Sequence, residues 1–167
     1  MRVGNVMKAN TITMLRALHE LLNSDCDPGY TKAGDWCLMV VTEPANFLEA
    51  ILDCKSRDAS LASIHSQEEQ DNIHGLTLPT RTWIGLTDFL DEGQFSWVDG
   101  SKVTFTNWMN GEPNNKNNNQ HCTLIRRDGK WKDAYCKKEK PYVCQKPFIE
   151  VTITPVKKDS ECRGNNK

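Results

Sequence analysis

The stretch N-W-M-N-G-E-P-N-N-K-N-N-N-Q-H-C-T-L-I-R-R-D-G-K-W-K-D-A-Y-C, from Asn107 to Cys136, decides how the rest of the chain is interpreted. It holds a carboxylate and an amide on either side of a proline, at Glu112, Pro113 and Asn114. A cis peptide bond is accessible before proline, and such a bond lets the two flanking side chains converge. A carboxylate oxygen beside an amide oxygen suits a hard cation or a pair of vicinal sugar hydroxyls. The alternative is a polar surface loop built from turn residues.

Length, charge and cysteine content limit the classes of protein to which the chain can belong. At 167 residues it suits one domain with a short extra element at an end. The formal net charge of −1 gives no general attraction to nucleic acid or to a membrane surface. No apolar run approaches the roughly 18 residues that a membrane span needs. Seven cysteines without a C-x-x-C pair favour disulfides in an oxidising compartment over a zinc ribbon, and the odd number leaves at least one outside an intrachain bridge.

The two ends of the chain are predicted to lie outside the main domain. Apolar residues recur at helical spacing near the start, so residues 1–25 are predicted to form an N-terminal helical extension. Charged residues interrupt this segment, which makes it a poor signal peptide, although the cysteines predict a secreted, extracellular protein. The helix within residues 1–24 either packs on the domain or pairs with a copy of itself. Residues 147–167 are predicted to be a C-terminal tail that carries Cys162.

Cap and strand signals predict the elements between those ends. Thr42 is predicted to cap a helix with Pro44 in its first turn and an end near Cys54. The apolar positions of that helix are Phe47, Leu48, Ile51 and Leu52. Ser66-Gln-Glu-Glu69 is a capping box that opens a second helix. Trp83-Ile-Gly-Leu86 predicts a buried strand, with a glycine where another backbone comes close.

The order of these signals resembles a C-type lectin domain over residues 26–146. The motifs that carry the resemblance are, in chain order, S-Q-E-E, W-I-G-L, W-V-D-G, E-P-N, Cys122, W-K-D and Y-V-C. The resemblance implies an α+β fold in which two helices pack on small antiparallel β-sheets with a long loop region. It also implies that Trp83, Trp97, Trp108 and Trp131 are core residues. The implied disulfides are Cys26–Cys37, Cys54–Cys144 and Cys122–Cys136, which leaves Cys162 unpaired.

The resemblance further implies a glycan as partner and calcium as cofactor. Members of this family bind sugars through a calcium ion that ligates two sugar hydroxyls, and an E-P-N loop accompanies mannose-type ligands. The sugar-binding residues would be Glu112, Asn114, Gln120, Lys132 and Asp133. Of these, Glu112, Asn114, Gln120 and Asp133 would ligate the metal.

Two departures from the family pattern predict weakened or altered calcium dependence. The family usually has Glu at position 120 and Asn at position 132, where this chain has Gln120 and Lys132. An ammonium has no lone pair to give a metal. Held at about 4 Å from a dication, it costs roughly 8 kcal/mol at an effective dielectric near 20, which is about the binding energy of a micromolar ion. Alternatively, Lys132 lies in the cation position itself, neutralised by Glu112 and Asp133 and hydrogen-bonded to Gln120.

An auxiliary calcium site is predicted to be only half present. Asp88 and Glu92 match its acidic half, and Asn115 stands where a further acid is expected. His121 also replaces an acid, and we interpret it as a surface residue because no second zinc ligand is nearby in sequence. A solvated acidic loop is the simpler interpretation of this region.

Other functions are weighed against sugar binding. Residues 126–140 contain seven basic residues against three acids, so this face is either solvated or binds anionic glycans. A lectin-like module that binds a protein or a surface without calcium is a further alternative. No catalytic motif is present, so the protein is not predicted to be an enzyme. A homodimer could form through Cys162 or through the 1–24 helix.

Overall fold

The structure, a computed structural model, describes residues 26–77 and 80–149. The predicted helical extension, the homodimer contacts within it and Cys162 lie outside the described residues. Residues Asp25–Phe148 form one compact unit. Within the described part of the chain, no helix is long and apolar enough to cross a membrane.

Two helices and eight strands make up the described domain. The helices are α1 (Phe47–Ser56) and α2 (Gln67–Thr77). The strands are β1 (Thr31–Ala33), β2 (Trp36–Ala45), β3 (Ser60–Leu61), β4 (Thr82–Thr87), β5 (Ser96–Trp97), β6 (Cys122–Ile125), β7 (Trp131–Ala134) and β8 (Lys140–Pro147). The strands are linked in the order β1-β2-β8-β4-β6-β7, with β3 paired to β8 and β5 to β4. The predicted α+β fold is confirmed, although two parallel contacts, β4 with β8 and Trp108 with Trp131 of β7, interrupt the antiparallel pairing.

Helix α1 begins later than the sequence predicted. Pro44 belongs to β2, which continues to Ala45 because that residue still pairs with β8 beyond a β-bulge. The cap is Asn46 instead of Thr42: its side-chain oxygen accepts from Glu49 N at 3.1 Å, and the Glu49 carboxylate accepts from Asn46 N at 3.0 Å. This reciprocal pair satisfies two otherwise unpaired donors of the first turn, which Thr42 cannot do from within a strand.

The buried face of α1 also differs from the apolar pattern. Leu48 and Leu52 are 63% and 57% exposed, whereas Phe47, Ala50 and Cys54 are buried. The face is set by Cys54, whose disulfide to Cys144 fixes one side of the helix against β8.

The capping signal of α2 is confirmed, since Ser66 Oγ accepts from Glu69 N at 3.2 Å. The Glu69 carboxylate, however, accepts from His65 N instead of from the cap residue.

All three predicted disulfides are present. They join Cys26 to Cys37, Cys54 to Cys144 and Cys122 to Cys136, with Cα–Cα distances of 5.6, 5.2 and 5.2 Å.

The tryptophans lie in the core as expected: Trp83, Trp97 and Trp131 are buried, and Trp108 packs against the core while partly exposed. The indole N–H of Trp131 donates to the buried Gln70 side chain at 2.7 Å, which anchors the start of β7 to α2. This anchor matters for the site because the next two residues on β7 are Lys132 and Asp133.

Gly85 is the point of closest approach between β4 and the segment after β3. Its N–H donates to Ala62 O at 2.7 Å, and a Cβ at this position would lie 2.6 Å from the backbone oxygen of Leu61. The sequence prediction of a close backbone contact is therefore confirmed.

We expect the Gly85→Ala substitution to lower the free energy of unfolding by about 1–3 kcal/mol, because the added methyl must push a backbone aside in a packed core. Urea unfolding followed by tryptophan fluorescence measures the change. Gly75→Ala in α2 is the matched control: a Cβ there meets nothing within 4 Å, and alanine favours a helix over glycine. Equal destabilisation by both substitutions would contradict the role given to Gly85.

Candidate functional site

The loop between β5 and β6 brings the E-P-N motif beside β7. The Glu112–Pro113 peptide bond is cis. Trp131 N donates to Asn107 O at 2.8 Å, and Met109 N donates to Trp131 O at 2.9 Å, so the loop runs alongside the start of β7. Glu112 N then donates to Met109 O at 2.9 Å and turns the chain back over that strand. The fold thereby places Glu112 next to Lys132 and Asp133.

Lys132 forms an ion pair with Glu112 within the cluster of Glu112, Lys132 and Asp133, which we call the Glu112 pocket. Its ammonium donates to Glu112 Oε1. The Glu112 side chain is 2% exposed and that of Lys132 is 29% exposed, so the carboxylate is covered while the lysine reaches solvent. The half of the alternative interpretation that pairs Lys132 with Glu112 agrees with this geometry.

Asp133 is the buried carboxylate of the pocket. It is 0% exposed, and its Oδ2 accepts from the backbone N–H groups of Asn114 at 3.1 Å and Asn115 at 2.6 Å. Within the described residues, Asp133 Oδ1 and Glu112 Oε2 are buried without a hydrogen-bond partner. Burial and the neighbouring Asp133 raise the pKa of Glu112, although the Lys132 ammonium acts in the opposite direction. Among the described residues Lys132 pairs with Glu112 and makes no ion pair with Asp133, so the predicted second contact is absent, and the cluster of two carboxylates and one ammonium carries a formal charge of −1.

The two amide side chains of the predicted site are engaged by the loop's own backbone. Asn114 Oδ1 and Gln120 Oε1 both accept from Lys116 N, each at 3.0 Å. A short 3₁₀ turn, Lys116–Asn118, lies between them. The predicted hydrogen bond between Lys132 and Gln120 is therefore wrong: the Gln120 oxygen is held by Lys116 N instead.

The comparisons with known proteins identify the family. The C-type lectin domain pattern matches residues 43–146. This chain belongs to the C-type lectin domain family. The lectin domain is 42% identical over 91 residues to the mouse low affinity immunoglobulin epsilon Fc receptor, covering 54% of this chain but only 28% of that receptor. It is 33% identical over 129 residues to the galactose-specific lectin nattectin of Thalassophryne nattereri, covering 74% and 81% of the two chains.

Solved structures of similar proteins share the fold. The cow C-type carbohydrate-recognition domain of CD23, studied in the presence of a GlcNAc2Man3 oligosaccharide, superposes with a TM-score of 0.73 at 31% identity, covering 76% of this chain and 98% of that one. A calcium-independent type II antifreeze protein superposes with a TM-score of 0.71 at 29% identity, covering 75% and 96%. The fold therefore occurs in a sugar-recognition domain and in a calcium-independent protein.

C-type lectins often bind calcium, but the principal cation position of this lectin domain does not fit that ion as folded. Calcium takes six to eight oxygen ligands. Here one Glu112 oxygen is paired with an ammonium, and the Asn114 and Gln120 oxygens accept from a backbone N–H. The unpartnered oxygens, Glu112 Oε2 and Asp133 Oδ1, are too few to make a calcium site without displacement of Lys132.

The auxiliary position of the lectin domain is built differently from the prediction. His121 Nδ1 lies 3.2 Å from Asp88 Oδ1 and 3.2 Å from Glu92 Oε2. Asn115 does not offer its oxygen here, since Oδ1 accepts from Gln120 N at 2.9 Å and Nδ2 donates to Glu92 Oε1. Sequence reasoning missed the role of His121 because its neighbours come from a loop 33 residues earlier in the chain. The register of Thr87 with Cys122, in β4 and β6, is what brings them together.

The basic face of residues 126–140 is partly neutralised. Arg126 pairs with Asp128 at 3.2 Å, and Lys130 donates to the Asn107 side chain at 2.6 Å. A surface cleft of about 400 Å³ is lined by three cations, Arg81, Arg127 and Lys140, together with Thr80 and Pro141. Among the described residues no acid lines this cleft, so it suits an anion.

Proposed function

We propose that this domain binds carbohydrate at Glu112, Asn114, Gln120, Lys132 and Asp133, with a preference for mannose-type sugars and with weakened calcium dependence. The observation that carries the proposal is the Lys132 ammonium against Glu112, beside the buried Asp133 and the E-P-N turn. In that place an ammonium substitutes for part of the charge that a calcium ion supplies in related lectins.

The pocket retains groups that can hydrogen-bond a pair of vicinal hydroxyls. The Lys132 ammonium has three donors, and one of them is used by Glu112. The oxygens of Asn114 and Gln120 accept from Lys116 N, and among the described residues their NH₂ groups have no hydrogen-bond partner and can donate to a hydroxyl. The sugar hydroxyl oxygens would accept from these donors and not from a metal.

Binding of a single sugar residue by these contacts is expected to be weak. A net contribution of about 1 kcal/mol is typical for a neutral hydrogen bond and roughly 1.5–3 kcal/mol for one to a charged group. Two or three such bonds correspond to a dissociation constant of about 1 mM. Retention therefore depends on a high local concentration of the sugar, as on a column densely loaded with a polysaccharide. The C-type lectin family supports glycan binding, and the E-P-N motif supports the mannose preference.

Calcium is expected to bind this pocket weakly and not to be required. Lys132 is 29% exposed and can turn into solvent, and the Glu112, Lys132 and Asp133 cluster retains one negative charge. A calcium ion must displace the ammonium from Glu112, which opposes binding by like-charge repulsion. The calcium-independent antifreeze relative supports a stable loop region without the ion.

Retention on immobilised mannan tests the proposal. We expect the unmodified protein to be retarded in the presence of a chelator nearly as much as in calcium. In the presence of the chelator, Lys132→Ala should no longer be retarded on mannan, because the substitution removes the cation from the pocket. Lys137→Ala, at an exposed residue of the following turn, should behave as the unmodified protein. Full release by the chelator, or no retention in either buffer, contradicts the proposal.

A second candidate is calcium-independent binding of anionic glycans, for which the cleft of Arg81, Arg127 and Lys140 is the supporting observation. Elution from heparin in a salt gradient tests it, with the double substitution Arg81→Ala/Arg127→Ala expected to elute at lower salt. A module that binds a protein or a surface would show neither mannan nor heparin retention.

We further propose that the protein is secreted, since its disulfides are expected to form in an oxidising compartment.

A further inference from the structure

We propose that Asp88, Glu92 and His121 form a binding site for a borderline transition-metal ion, with Zn²⁺ as the representative case, where the resemblance implied an auxiliary calcium ion. The inference does not depend on sugar binding in the Glu112 pocket. It is carried by the identity, spacing and support of three side chains.

The spacing of the donor atoms suits a small ion. His121 Nδ1 is 3.2 Å from Asp88 Oδ1 and 3.2 Å from Glu92 Oε2, and the three donor atoms all lie within 4.8 Å of one another. In a tetrahedral zinc site with bonds of about 2.0–2.2 Å, neighbouring ligand atoms are about 3.3–3.6 Å apart. Only small side-chain adjustments are needed to place an ion between them.

Surrounding hydrogen bonds hold the ligands in place. Asp88 is 3% exposed, and its Oδ2 accepts from Gly93 N at 2.9 Å, which leaves Oδ1 directed at His121. Glu92 Oε1 accepts from the Asn115 amide, which leaves Oε2 directed at the same nitrogen. The His121 carbonyl accepts from Asp88 N at 3.3 Å. Outer partners of this kind orient metal ligands and raise affinity.

The donor set favours zinc over calcium. Calcium takes oxygen ligands and needs six to eight of them, whereas imidazole nitrogen suits zinc, copper and nickel. The amide oxygen of Asn115 accepts from Gln120 N and is not directed at the three side chains. The Glu92 side chain is 58% exposed and that of His121 23% exposed, so water can supply a fourth ligand.

The contrast with the Glu112 pocket strengthens the inference. There, a lysine already supplies the positive charge. Among the described residues, no lysine or arginine pairs with Asp88 or Glu92, and His121 is the single ionisable partner in contact with them. A nearly buried carboxylate such as Asp88 requires a positive partner or hydrogen bonds, and here its contacts are Gly93 N and His121 Nδ1.

The experiment is a calorimetric titration of Zn²⁺ into the full chain. Cys162→Ser is the background for every variant, because a thiol in the tail is also a zinc ligand. We expect one zinc ion per chain, and His121→Asn should weaken its binding roughly tenfold or more, since it removes one of three ligands. His74→Asn is the matched control, because His74 contacts Arg127 O and lies outside the cluster. Proton–nitrogen spectra of the histidine rings should show zinc-induced shifts at His121 and none at His74.

A second variant distinguishes metal preference from a general loss of binding. His121→Asp replaces the nitrogen donor with a carboxylate, so zinc affinity should fall while calcium affinity rises. A zinc affinity that is the same in His121→Asn as in the background would overturn the proposal. So would a titration in which no zinc binds and the His121 ring signals do not shift. Far-UV circular dichroism of every variant verifies that it is folded, which separates ligand loss from misfolding.

Discussion

The double substitution Gln120→Glu/Lys132→Asn should raise calcium affinity about a hundredfold or more. It removes the ammonium that pairs with Glu112 and adds a negative charge at the other end of the loop. A cation about 4 Å from a calcium ion costs up to roughly 8 kcal/mol at an effective dielectric near 20, and each 1.4 kcal/mol is about tenfold in affinity. The expected gain is set below this limit because the lysine is flexible and partly exposed.

Calorimetric titration of calcium into the double variant measures the gain, and each single variant should give part of it. Lys137→Asn/Gln120→Glu is the matched control, since it makes the same change in charge without touching the Lys132–Glu112 pair. Mannan retention of the double variant should become sensitive to a chelator. No gain in calcium affinity would mean that the oxygens of Glu112, Asn114 and Asp133 do not converge on one ion.

Removal of the Cys54–Cys144 disulfide, as Cys54→Ala/Cys144→Ala, should lower the free energy of unfolding by about 4–5 kcal/mol. The bridge closes a loop with a sequence separation of 90, and the unfolded chain without it gains entropy that grows with the logarithm of loop length. Domains of this size are stable by only about 5–15 kcal/mol. The variant is therefore expected to lose a large part of its stability, and to unfold at much lower urea.

Removal of the Cys26–Cys37 disulfide gives the matched comparison. Its sequence separation is 11, for which the same entropy relation gives a loss of about 3 kcal/mol. Equilibrium urea unfolding of both alanine pairs measures the difference, and far-UV circular dichroism verifies that each variant folds. A larger loss from the short loop than from the long one would contradict the entropic account.

The overall fold could be predicted from sequence because its determinants are local or strongly ordered along the chain. The Ser66 cap is formed as expected, and Gly85 makes the predicted close approach. The predicted start of α1 was wrong, because strand pairing with β8 overrides the weak capping signal of Thr42 and Pro44. Asn46 and Glu49 carry a recognisable capping box, so that error could have been avoided.

The candidate site was less predictable, because it depends on which side chains meet in space. Lys132 could be suspected of pairing with Glu112, since an ammonium in place of an amide must find a counter-charge. The capture of Gln120 by Lys116 N could not be foreseen, because it depends on left-handed conformations of Asn117 and Asn118 within the loop. His121 was missed for a different reason: the carboxylates beside it come from the loop that follows β4, far away in sequence.

The central claim is that the Lys132 ammonium takes the place of a calcium ion beside Glu112 and Asp133. Its most direct test is a crystal structure at about 1 mM calcium, a concentration at which extracellular calcium modules are substantially loaded. We expect density for Lys132 Nζ within hydrogen-bond distance of Glu112, with no ion ligated by Glu112, Asn114 and Asp133. A calcium ion bound by those three residues, with Lys132 turned into solvent, would contradict the account.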